Sequence, residues 1–75
     1  MLFYTVRCDR RGYPVQYIDP ETRRVKTFHG PFDDPGEASQ EFQISVSASG
    51  VELCYLDEAA FQGKARAFSR QSSKK

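Results

Sequence analysis

The sequence predicts an α+β fold: a three-stranded antiparallel meander, one packed helix, a further strand and a weak C-terminal helix, in the order β-β-β-α-β-α. Three observations carry this expectation. Runs 2–8, 13–18 and 23–28 are rich in β-branched and aromatic residues and are separated by turn residues. The stretch "DDPGEA" at 33–38 has the chemistry of a helix start. The chain has 75 residues, enough for one small domain, with six Phe and four Tyr to fill a thin core.

In order, "LFYTVRC" (2–8) is a strand with Leu2, Tyr4, Val6 and Cys8 on one face. "DRRG" turns the chain, Gly12 supplying the positive φ that tight turns need. "YPVQYI" (13–18) is a second strand, with Pro14 at its start, where a missing ladder donor is tolerated. "DPET" (19–22) is a turn with Pro20 at its second position, and "RRVKTF" (23–28) is the third strand. Sequential strands of this kind pair as neighbours.

The next stretch admits two readings. As a helix, Asp34 is the N-cap, Pro35 the first helical residue and Glu37 the partner of a capping box. Asp33, Asp34, Glu37 and Glu41 then lie near the positive end of the macrodipole, and Gly50 serves as the C′ residue. Ala38, Phe42, Ser45, Val46 and Ser49 form one stripe, with Ile44 off it. The alternative is a mainly β fold in which 42–48 and 51–56 make a hairpin across Ser49-Gly50. The hairpin leaves a long structureless loop before it, which compact domains avoid, so the helix is preferred. "VELCYL" (51–56) is a strand either way, and 57–68 a short helix capped by Asp57 and weakened by Gly63. The compact domain is therefore expected to span 1–68, with 69–75 a flexible polar tail.

Segment 12–42 resembles the three-stranded-sheet-plus-helix DNA-binding domains, of the plant ethylene-response-factor and phage integrase arm-binding types. The likeness rests on two strands joined by a "DP" turn, then "G-x-F" at 30–32, an acidic cap, "EA", and an aromatic four residues after that Ala. It implies a helix on one sheet face and a groove-reading surface on the other. The tryptophans of the plant domains are missing here, and Phe28-His29 stands where they carry a Trp-Leu pair. In size and lack of motifs the chain is also similar to small phage-encoded inhibitors of the anti-CRISPR kind.

Charge supplies the functional candidates. The net charge of +1 hides a segregated pattern. Residues 31–58 hold seven acids and no Lys or Arg, whereas 59–75 hold five basic residues and no acid. On the meander, Arg7, Arg10, Arg11, Arg23, Arg24 and Lys26 are expected to contact DNA or RNA phosphates, with Tyr17, Tyr13 and Phe28 available for stacking. The rival expectation is an inhibitor or adaptor whose Asp33, Asp34, Glu37 and Glu41 dock onto a basic protein surface. No catalytic set is legible, so the expectation is a non-enzymatic binding domain with no cofactor, metal or small-molecule substrate. A lone His29 fits a structural loop better than a metal site. No run approaches the ~20 apolar residues of a membrane span, and the N-terminus lacks a signal-peptide pattern. A cytoplasmic chain with reduced, semi-buried Cys8 and Cys54 follows as an expectation.

Overall fold

The structure, a computed structural model, describes residues 1–28 and 32–73, with side chains described through Phe68. His29, Gly30, Pro31, Lys74 and Lys75 lie outside the described residues, and with them the reading of His29. The element order is β1 (Leu2–Val6), β2 (Val15–Ile18), β3 (Val25–Thr27), α1 (Pro35–Ser47), β4 (Leu53–Tyr55) and α2 (Glu58–Ser73). This is the predicted α+β order. The sheet runs β3-β2-β1-β4. The meander is antiparallel, with Tyr4 opposite Tyr17 and Tyr17 opposite Lys26. β4 joins the other edge parallel to β1, with Tyr4 opposite Tyr55.

Helix α1 forms where the cap chemistry places it. Asp34 has extended backbone and its Oδ2 accepts from the Glu37 N–H at 3.0 Å, the forward half of a capping box. Residues 42–47 therefore belong to a helix, and the alternative hairpin across Ser49-Gly50 does not form. The helix ends one residue earlier than Gly50 requires of a C′ residue, with Ala48 as C-cap. The Ser47 and Ser49 hydroxyls donate to the Ile44 and Val46 carbonyls, satisfying groups that a helix end leaves open. Gly50 still takes a left-handed φ of 77° and turns the chain into β4.

Each face of the sheet carries a helix. On the α1 face, Leu2, Tyr4, Val15, Ala38 and Phe42 form the buried cluster. The Phe42 ring lies 4.9 Å from Tyr4, 5.3 Å from Tyr17 and 5.2 Å from Phe28, between ring centroids. Tyr4 Oη is tied to Ser39 Oγ and accepts from Gln43 Nε2, so its polar end is satisfied. Ile44, off the predicted stripe, is 59% exposed.

The other face is covered by α2, which packs on β1 and buries Phe61. Thr5 and Ile18 are buried on that side by the two-residue alternation of β1 and β2. Asp57 caps this helix through Ala60 N–H at 2.8 Å, as expected. The helical backbone continues to Ser73, past the Phe68 at which the apolar pattern stops. Cys8 is exposed rather than semi-buried, because β1 ends at Val6 and releases it from the sheet; Cys54 is half-buried, and both are free thiols. No helix among the described residues is long and apolar enough to cross a membrane.

Candidate nucleic-acid interface

The cations singled out from the sequence do not share one surface. Arg10 and Arg11 are exposed at the tip of the β1–β2 turn, where Asp9 and Gly12 exchange backbone hydrogen bonds and Gly12 has φ 142°. Asp9 Oδ1 accepts from the Arg11 N–H at 2.8 Å. Arg23 and Arg24 sit in the turn at the opposite end of β2. Arg7 lies on the α2 side, with its guanidinium 3.0 Å from Glu58 and 3.4 Å from Gln16 Oε1. Lys26 shares the α1 side with Tyr17 and pairs with Asp19 at 3.0 Å. That pair holds the Asp19 carboxyl below its usual range, the hydrogen bond from Lys26 being the largest cause and the Glu21 N–H the next; it raises Lys26 correspondingly.

The open sheet face is also not where the charge pattern placed it. The centre of the face opposite α1 lies under α2, with Thr5 0% and Ile18 1% exposed. Tyr13, Tyr17 and Phe28 pack against the α1 core cluster. The Tyr17 and Phe28 rings are engaged there with Phe42, 5.3 and 5.2 Å away between centroids, and are not laid out for stacking. The acidic residues are dispersed in role: Asp34 is consumed as the helix cap, while Asp33, Glu37 and Glu41 are exposed. Glu37, Glu41 and Ile44 follow one another at helical spacing along the outer side of α1.

Instead, the fold gathers cations and rings at one corner. Phe3 points to the α2 side of β1, and the Phe3 and Phe68 rings lie 6.3 Å apart, tilted at 46°. The Arg23 guanidinium carbon lies 5.8 Å from the Phe68 centroid, and Lys64 Nζ lies 4.8 Å from the Phe3 centroid. A cation within about 6 Å of a ring centroid is attracted by the ring's quadrupole. Beside these groups opens a cleft of about 430 Å³ lined by Met1, Phe3, Ile18, Pro20, Arg23 and Phe68. Among the described residues, its lining holds one charged side chain, Arg23, and no carboxylate.

Arg23 reaches this corner from an unusual backbone. Its φ is 62°, the left-handed region, which a residue with a Cβ enters at a cost of roughly 1–2 kcal/mol. The turn enforces it. Asp19 O accepts from the Arg23 N–H at 2.7 Å, Asp19 N–H donates to Arg24 O at 2.9 Å, and Asp19 Oδ1 accepts from Glu21 N–H at 2.8 Å. Asp19 thus fixes the turn from which Arg23 projects.

A second groove, of about 280 Å³, lies at the other end of the same sheet and is lined by Arg7, Asp9, Pro14, Gln16 and Thr27. There the cation is compensated by Glu58 and Asp9 stands in the lining, so no net positive field is expected. Sequence reasoning named Arg23 but missed Phe3, Lys64 and Phe68 as its neighbours. The available signal was the acid-free run 59–75, from which α2 packs on β1 and lays Lys64 and Phe68 beside Phe3. No family model matches the chain, and neither a curated protein nor a solved structure matches it.

Proposed function

We propose that this is a non-enzymatic binding domain that takes nucleic acid at the corner formed by Phe3, Arg23, Lys64 and Phe68. The observation that carries the proposal is the placing of two cations over two aromatic rings beside a cleft with no carboxylate among the described residues of its lining. Cations meet phosphates, rings meet bases, and the combination is the usual equipment of sequence-tolerant nucleic-acid binding. Arg24, exposed beside Arg23, extends the positive surface. Arg7 and Lys26, each held by a carboxylate, contribute less. Titrating the domain against a mixed nucleic-acid pool at low salt tests the proposal. Binding that weakens steeply with salt is expected, and Lys64→Glu should lower the steepness by about one phosphate contact. No detectable binding at low salt would sink it.

A second reading rests on a separate observation: Ile44 is 59% exposed beside Glu37 and Glu41 on the outer side of α1. An apolar residue among acids suits an inhibitor or adaptor docking onto a basic protein surface. Reversing Glu37 and Glu41 to Lys would then abolish capture of that partner with the fold intact. A partner held equally well by the reversed variant counts against it.

A further inference from the structure

We infer that the cleft beside Phe3 and Phe68 receives an unstacked base, so that the domain selects single-stranded nucleic acid over duplex. The inference deepens the nucleic-acid reading and rests on it. The duplex-reading geometry implied by the sequence resemblance needs an open sheet face, and here α2 covers the centre of the face opposite α1. What remains on that side is a half-open cleft whose apolar side chains are Met1, Phe3, Ile18, Pro20 and Phe68. Its volume of about 430 Å³ lies within the range of about 300–1,000 Å³ typical of small-molecule sites, enough to admit one base. A base within a duplex keeps its two faces stacked on its neighbours and cannot enter such a recess, whereas a base in a single strand has a free π-face.

The charges specify what flanks that base. Lys64 and Arg23 sit over the Phe3 and Phe68 rings, whose centroids are only 6.3 Å apart, so both cations lie within reach of one nucleotide's neighbouring phosphates. Among the described residues, the cleft lining holds no carboxylate to repel those phosphates. Charge complementarity therefore commits the site to a polyanion carrying an aromatic group, and the shared chemistry is an unstacked base with flanking phosphates, from DNA or from RNA. Arg23 is brought here by a turn held in the left-handed region, a conformation that locally prefers glycine. Departures of that kind gather at functional sites.

Fluorescence anisotropy at low salt, with four labelled probes of equal length, tests the inference: a thymidine single strand, the corresponding uridine single strand, the duplex, and an abasic deoxyribose-phosphate strand. At least one of the two single strands should bind about tenfold or more tighter than both the duplex and the abasic strand, the range expected for stacking one base on an aromatic side chain. Which sugar binds tighter identifies the source. Phe68→Leu, which keeps an apolar side chain of similar bulk, should bring the single strand down to the abasic level; its circular dichroism and melting midpoint establish that it folds. Phe3→Leu should do the same independently. Equal affinity for single strand and abasic strand, or for single strand and duplex, overturns the base-binding cleft while leaving the nucleic-acid reading standing. Absence of binding to every probe overturns both.

Discussion

The two faces of this sheet are built to different standards. On the α1 face, Phe42 is fully buried among Tyr4, Tyr17 and Phe28, and the phenol of the buried Tyr4 is hydrogen-bonded to Ser39 and Gln43. On the α2 face, Thr5 Oγ1 is buried with no hydrogen-bond partner among the described residues, α2 carries Gly63 in its interior, and Arg23 sits at positive φ. Local rules hold on the first face and fail repeatedly on the second. Proteins depart from such rules chiefly where a site requires it. The candidate cleft lies on the α2 side, so the better-satisfied packing is on one face and the proposed binding corner on the other.

The largest expected effect tests the stability half of this contrast. Phe42→Ala removes the ring at the centre of the aromatic cluster and should cost about 3–5 kcal/mol, a large part of the 5–15 kcal/mol that holds a domain together. Chemical denaturation should place it at or near unfolding in water. Phe61→Ala, on the α2 face, should cost less, because fewer aromatic partners surround it. An equal loss would break the asymmetry.

Thr5→Val acts in the opposite direction. Valine keeps the shape of threonine but removes a hydroxyl that has no partner, and leaving such a group buried costs about 1–3 kcal/mol. The denaturation midpoint should rise. A fall would mean that the hydroxyl is satisfied in solution, and the α2 face would then be better built than the contrast holds.

Arg23→Gly and Gly63→Ala separate function from stability on this face. Glycine relieves the positive φ at 23 but loses the contact with Phe68 and gains freedom in the unfolded chain. Stability should stay within about 1 kcal/mol of the parent, since these terms oppose one another. Nucleic-acid affinity should nevertheless fall. At Gly63, apart from the neighbouring backbone of α2 itself, no atom of the described residues lies within 4 Å of where a Cβ would stand, so alanine should stabilise α2 by about 0.5–1 kcal/mol. Its binding should be unchanged. If Arg23→Gly binds like the parent, the corner is not the site.

These contrasts also mark what the sequence could and could not reveal. The helix at Pro35 was legible because Asp34, Pro35 and Glu37 act through local chemistry, and local chemistry does not need the rest of the fold. The burial of Ala38 and Phe42 and the exposure of Ile44 followed from helical spacing alone. The cleft was not legible, because it depends on α2 crossing back over β1, which brings Phe68 to Phe3 across most of the chain. The meander cations misled for a related reason: alternation placed Lys26 with Tyr17 on the α1 side and Arg7 on the α2 side, and a charge count along the chain carries no face. The left-handed φ at Arg23 had no signature, since it is imposed by the backbone bonds that tie Asp19 to Arg23 and to Arg24 rather than by a turn-forming residue.

The smallest expected effect concerns the turn that carries Arg23. The Lys26 hydrogen bond lowers the Asp19 carboxyl below its usual range, so this group contributes stability above the ordinary carboxylate pKa and loses it as pH falls through the depressed folded value. Lys26 is raised, so its contribution is full below the ordinary lysine pKa and is lost as pH climbs through the raised folded value. Between those limits the pair is indifferent to pH. Both side chains meet solvent, and an exposed pair contributes little to global stability. The sensitive readout is therefore local: an NMR titration of the Asp19 carboxyl should have its midpoint below the usual range, and Lys26→Met should move it upward. Because Asp19 Oδ1 also accepts from the Glu21 N–H, protonating Asp19 weakens the bond that shapes the turn, and the amide resonances of residues 21–24 should shift with the same midpoint. An Asp19 midpoint unchanged by Lys26→Met would show that backbone donors alone hold the carboxylate, and that the turn presenting Arg23 needs no help from the β3 edge.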